Sequence, residues 1–185
     1  EKLIKLTDDQ YDVLEQIDFD LNPRLMVEGG AGSGKTLCAV EIAKSQSQMG
    51  KNVLFTCFNK KLAARIRRVD LKQFPGITVK TFHHLMTQIV KYTSSNSVAG
   101  KSSSPNLEHF FREELPLACM EALNNSIDGQ NEFDAVIVDE AQDLLTENYI
   151  LVLDEIIRNG LENGQWAFFL DAKQSIFESS AGSVS

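Results

Sequence analysis

The sequence predicts an α/β domain in which a parallel β-sheet is covered on both faces by helices. Three observations carry this. Short, near-continuous apolar runs at 25–27, 53–57, 77–80, 135–138 and 167–170 read as buried strands. Segments with helical apolar spacing fall between them, the alternation that places strands side by side in parallel. Polar clusters at 29–36, 139–143 and 171–174 follow directly on three of the strands, at the sheet end where such folds hold ligands.

In chain order, Thr7-Asp8-Asp9-Gln10 precedes Val13, Leu14 and Ile17, which predicts a capped helix over 8–18. Asn22-Pro23 opens the first strand. The glycine-rich stretch behind it leads into a helix from 37 that ends near Met49-Gly50. After the second strand, Lys60 begins a basic amphipathic helix reaching Val69. The third strand runs into a helix over 82–91. Residues 93–106, rich in Ser, Asn and Gly, read as an exposed or disordered loop. A helix over 107–124 follows, and Pro116 is expected to bend or break it. The fourth strand, a helix over about 146–158 and the fifth strand complete a single domain spanning 1–185.

At 185 residues the chain is long enough to bury a core, and 43% apolar with 24% charged residues is the balance of a soluble globular protein. No apolar run approaches the ~18 residues of a membrane span, and the N-terminus carries no apolar signal core. Cys38, Cys57 and Cys119 are odd in number and lack metal-ligand spacing, which fits free thiols in a reducing compartment. The expected location is cytoplasmic (nucleoid) or nuclear, not secreted. The chain opens on Glu1 and reads as a piece of something longer.

A net charge of −8 argues against indiscriminate nucleic-acid binding, but the charge is unevenly spread. Residues 51–80 carry eight basic side chains (Lys51, Lys60, Lys61, Arg65, Arg67, Arg68, Lys72 and Lys80) against one acid, Asp70. Residues 101–185 carry four basic and sixteen acidic ones. The basic third is either a positive surface for nucleic acid or a solvated helix face.

Gly29-Gly30-Ala31-Gly32-Ser33-Gly34-Lys35-Thr36 matches the P-loop pattern GxxxxGK[ST], after a strand and opening a helix. Residues Gly30, Ala31, Gly32, Ser33 and Gly34 let backbone N–H groups converge on phosphate oxygens, with the helix dipole behind them. Lys35 is expected on the β/γ-phosphates and the Thr36 hydroxyl on Mg²⁺. Val136-Ile137-Val138-Asp139-Glu140 is the matching Walker B element: Asp139 to hold Mg²⁺, Glu140 to act as general base on the attacking water. ATP and Mg²⁺ are the expected cofactors.

Six segments in order resemble the motifs of superfamily 1A (UvrD/Rep-type) DNA helicases. Asp139-Glu140-Ala141-Gln142-Asp143 is similar to their DEAQD box, and residues 29–36 to their first motif. Thr56-Cys57-Phe58-Asn59-Lys60-Lys61-Leu62-Ala63 resembles motif Ia, Thr81-Phe82-His83 the TFH motif, and Leu170-Asp171-Ala172-Lys173-Gln174-Ser175-Ile176-Phe177 motif III. Gln10 resembles the upstream Gln that reads adenine. The resemblance implies a RecA-like motor domain, P-loop NTPase in fold, that couples ATP hydrolysis to movement on single-stranded nucleic acid when joined to a second lobe. It implies that Gln10 binds adenine and that Gln174 senses the γ-phosphate. It also implies that Phe58, Asn59, Thr81, Phe82, His83 and Phe177 touch single-stranded DNA.

Between His83 and Asp139 lie 55 residues where many relatives carry a larger inserted subdomain, a compact arrangement similar to helicases fused to a nuclease-related domain. Glu178-Ser179-Ser180-Ala181-Gly182 departs from the family's usual Phe-Arg-Gly-Ala. The family's later motifs, which supply arginines to the γ-phosphate, do not occur in these 185 residues. With Arg65 to Arg68 expected to face nucleic acid and Arg24 at the far end of the sheet, the lobe alone is expected to bind nucleotide with little turnover. Two other readings compete: a small-molecule phosphotransferase, which would want a lid with arginines, and a nucleotide-gated interaction module, against which the intact Lys35, Thr36, Asp139 and Glu140 weigh.

Overall fold

In a computed structural model of the chain, the described residues are 21–93, 106–125 and 132–171. The helix predicted over 8–18 lies outside them, as do Gln10, Gln174, Phe177 and all but the ends of the 93–106 loop.

Five parallel strands form one sheet: β1 (Arg24–Gly29), β2 (Val53–Cys57), β3 (Ile77–Thr81), β4 (Ala135–Asp139) and β5 (Gln165–Asp171), in the spatial order β1-β5-β4-β2-β3. The helices are α1 (Lys35–Gln48), α2 (Lys60–Arg65), α3 (Phe82–Thr93), α4 (Leu107–His109), α5 (Leu115–Asn124), α6 (Glu147–Ile156) and α7 (Gly160–Asn163). This is the α/β domain that the alternating pattern predicts, with the RecA-like arrangement that the resemblance implies.

Alternate residues of the strands serve two cores, because successive side chains leave a strand on opposite faces. Phe55, Ile137 and Phe169 pack with α1 and α2, while Leu54, Val136, Val138 and Phe168 pack with α3, α5 and α6. Every residue of β2 and β4 is buried. β1, at one edge of the described sheet, departs from the predicted continuous burial: Arg24, Met26 and Glu28, alternate residues that share one face of the strand, are exposed.

The register settles where the polar clusters meet. Gly29 pairs with Asp171, Asp139 with Cys57, and Cys57 with Thr81, so the carboxyl ends of all five strands form one row. β5 separates β1, which leads into the glycine-rich loop, from β4, which ends in Asp139.

Two helices differ from their sequence reading. The basic helix continues from α2 through a π turn, Ile66–Asp70, closed by Leu71 N–H donating to Ile66 O. The helix over 107–124 is not broken at Pro116. Its register shifts earlier, in the π turn Phe110–Glu114, where Leu115 N–H donates to Phe110 O, and Pro116 sits buried in the first turn of α5. The shift leaves Phe111 O without its usual helical donor, and the missing N–H of Pro116 does the same for Arg112 O. Two neighbouring side chains of α6 supply the bonds. Tyr149 Oη donates to Phe111 O (2.9 Å) and Asn148 Nδ2 to Arg112 O (3.1 Å). The apparent defect is therefore a clamp between the 107–124 segment and α6.

Candidate nucleotide cleft and the adjoining aromatic pocket

The glycine-rich loop turns between β1 and α1 as the motif requires. Gly32 and Gly34 hold φ of 78° and 88°, which favours glycine. A Cβ on Gly29 would sit 2.7 Å from Ser33 Oγ, so the loop closes tightly there. Lys35 Nζ donates to the loop's own carbonyls, Gly29 O at 2.7 Å and Gly30 O at 2.8 Å. A triphosphate offers this ammonium stronger, charged acceptors at the same mouth.

Thr36 Oγ1 donates to Asp139 Oδ2 at 2.7 Å, joining two residues 103 positions apart. Asp139 is fully buried, and burial drives its carboxyl above the usual value while the Thr36 bond opposes the shift. A hydroxyl and a buried carboxylate in contact are hard oxygen donors suited to Mg²⁺. Glu140 takes a left-handed backbone (φ 56°, ψ 47°), uncommon for a residue with a Cβ and a strain of order 1 kcal/mol. Its carboxylate is tethered by Gln142 Nε2 at 2.7 Å, and Gln142 Oε1 accepts from Asp171 N at 3.2 Å. Gln142 thus ties the end of β4 to the end of β5.

A cleft of about 570 Å³ gathers residues 31–37 with Val40, Leu62, Arg65, Ile66, Asp70, Glu140 and Asp171. Arg65 in this cleft corrects the sequence expectation, which placed it on the nucleic-acid side with its basic neighbours.

Beyond the 139–143 segment lies a second cavity of about 340 Å³, lined by Phe58, His83, Glu108, Phe111, Arg112, Gln142, Asp143, Leu145, Thr146 and Tyr149. His83 stacks on Phe111 with ring centroids 4.5 Å apart, and Phe58 meets His83 edge-on at 5.2 Å. Tyr149 spends its proton on Phe111 O, so His83 Nε2, 2.7 Å from Tyr149 Oη, must be the protonated nitrogen of the ring. Burial, with the Lys60 charge, lowers the His83 pKa to about 4, and burial raises that of Tyr149 to about 12. The Thr146 hydroxyl is buried without a hydrogen-bond partner among the described residues.

The expected nucleic-acid contacts separate sharply. Phe58 is 48% exposed and His83 half-buried, both at the pocket. Phe82 is corrected: it is wholly buried, edge-on to Tyr149, and belongs to the core. Thr81 is buried too, its hydroxyl accepting from His84 N at 3.4 Å. Asn59 caps α2, its Oδ1 accepting from Lys61 N and Leu62 N.

The basic segment 51–80 is also divided. Lys51 bonds Gln46 and Gln165 at the amino end of the sheet. Desolvation and then the charges of Lys80, Arg67, Lys91 and Lys60 lower the pKa of His84. Phe111 and Tyr149 were not foreseen, since nothing in their local sequence distinguishes them from helix-core residues.

Five parallel strands, a glycine-rich loop after the first and paired acids at the end of the fourth define an α/β domain of RecA-like fold. The sequence model of the Schlafen group 3, DNA/RNA helicase domain matches residues 24–185. The chain belongs to that family and is a helicase-related domain. No curated protein matches it.

Proposed function

We propose that this chain is the ATP-binding lobe of a nucleic-acid motor whose site follows superfamily 1 logic. The observation that carries the reading is the contact between Thr36 and Asp139, which joins the P-loop to the acid-bearing strand beside Lys35 and Glu140. Lys35 and the loop N–H groups orient the phosphates, Thr36 and Asp139 hold Mg²⁺, and Glu140 directs the attacking water. The metal would neutralise charge on the phosphate oxygens. Gln10 and Gln174 keep their expected roles at the base and the γ-phosphate.

The Phe58–His83 pocket faces single-stranded nucleic acid, with Lys60 close enough to His83 to act on it and available for the phosphate backbone. Aromatic faces beside a basic group suit single strands of either sugar type. Isothermal titration with Mg-ATP tests the nucleotide half. Lys35→Ala should weaken binding by about 1.5–3 kcal/mol, the worth of a hydrogen bond to a charged group, and equal affinities would remove Lys35 from the phosphate site.

A further inference from the structure

Resting on the nucleotide reading above, we infer that Arg65 is a second cationic contact, beside Lys35, for the phosphate tail of the bound nucleotide. The helix that begins at α2 carries arginines at 65, 67 and 68, which the sequence presents as one basic cluster. Geometry splits them. Residues two apart on an α-helix point about 200° apart, so Arg65 and Arg67 leave opposite sides. Arg67 is exposed and is not among the residues that line the cleft, whereas Arg65 lines it over the P-loop with Lys35, Glu140 and Asp171.

The π turn that follows reinforces the split. With α-helical spacing, Val69 would continue the face made by Leu62, Arg65 and Ile66. The wider turn puts Asp70 in the cleft and leaves Val69 70% exposed. An apolar side chain left in water is a local cost, and what it accompanies is a polar wall on the cleft.

Chemistry then selects the ligand. Arg65 and Lys35 are the two basic side chains among the described lining residues of the cleft. No ion pair with a described residue holds the Arg65 guanidinium. Lys35 is a point donor set into the loop; Arg65 offers a planar fork from the side wall, suited to two non-bridging phosphate oxygens at once. The apolar Leu62 and Ile66 line the cleft beside it.

The test measures binding of Mg-ATP and of Mg-tripolyphosphate, which has no base or sugar, to the chain and to Arg65→Ala, Arg65→Lys and Arg67→Ala. Circular dichroism confirms that each variant is folded, as expected for exposed side chains. Arg65→Ala should weaken both ligands by about ten- to a hundredfold, with Arg65→Lys recovering part of the loss and Arg67→Ala leaving both unchanged. Anisotropy with a labelled single-stranded oligonucleotide should show the reverse, a loss in Arg67→Ala and none in Arg65→Ala. Unchanged nucleotide binding in Arg65→Ala, or a loss for Mg-ATP without one for Mg-tripolyphosphate, overturns the inference. Absence of Mg-ATP binding by the unaltered chain would overturn the nucleotide reading itself.

Discussion

The cleft over the glycine-rich loop and the aromatic pocket beside it share the 139–143 segment and are built in opposite ways. The cleft takes half of its lining residues from one run, residues 31–37, and its chemistry from backbone curvature and charge. The pocket gathers side chains from the end of β2, α3, the 107–124 segment, residues 142–146 and α6, and is held by ring contacts and one hydrogen-bonded Tyr149. A loop-built cleft tolerates changes of side chain around it as long as the backbone can curl. A pocket assembled from distant segments depends on the core beneath it, so damage there should travel further. Gln142, bonded to Glu140 and lining the pocket, is the physical link between the two.

The largest expected effect tests the pocket's dependence on the core. Phe82→Ala removes a fully buried ring under Tyr149 and should cost about 3–5 kcal/mol in urea unfolding. A cost below about 1 kcal/mol would mean the site collapses around the loss, and the contrast with the cleft would be weaker than drawn. Next in size is Tyr149→Phe, which strips the donor from Phe111 O and the acceptor from His83, leaving polar groups unpaired. Destabilisation of about 1–3 kcal/mol is expected, together with weaker oligonucleotide binding and unaltered Mg-ATP affinity. Loss of nucleotide binding in this variant would show the two sites to be one.

Phe58→Ala sharpens the same comparison from the surface. Stability should move by no more than about 0.5 kcal/mol, while anisotropy with a single-stranded oligonucleotide should lose about 1–3 kcal/mol, one stacked base. Binding should fall as salt rises, with single strands preferred to duplex. Full binding in the variant would leave the exposed ring without that role.

The smallest effect is a pH dependence. His83 is neutral in the folded domain with its pKa lowered from 6.5 to about 4, and Lys60, Tyr149, Glu108, Arg112 and Asp143 surround it. Between these values the unfolded chain binds a proton that the folded one refuses. The contribution is therefore whole above pH 6.5 and is lost progressively as pH falls towards 4. His83→Gln should flatten that part of the stability profile; parallel slopes in the two proteins would contradict it.

Contiguous features were legible in the sequence because their chemistry is local. The loop at 29–36, the strand ending in Asp139-Glu140 and the alternation of strands and helices each declare themselves through spacing within a few residues. Thr36 and Asp139, both assigned to Mg²⁺ from the sequence, stand in contact in the structure.

Tertiary structure decided the rest, wherever a side chain's job depends on which way it points. Phe58 and Phe82 sit in neighbouring motifs, yet one is half in water and the other sealed under Tyr149. Arg65 and Arg67 belong to one basic run, and the helix sends them to opposite sides. Phe111 enters the pocket through a π turn that no local pattern announced, steadied by Tyr149 and Asn148 from a helix more than thirty residues away. Composition and spacing fix which groups are near in the chain; helix phase, strand register and the capping of stray carbonyls fix which face each one reaches.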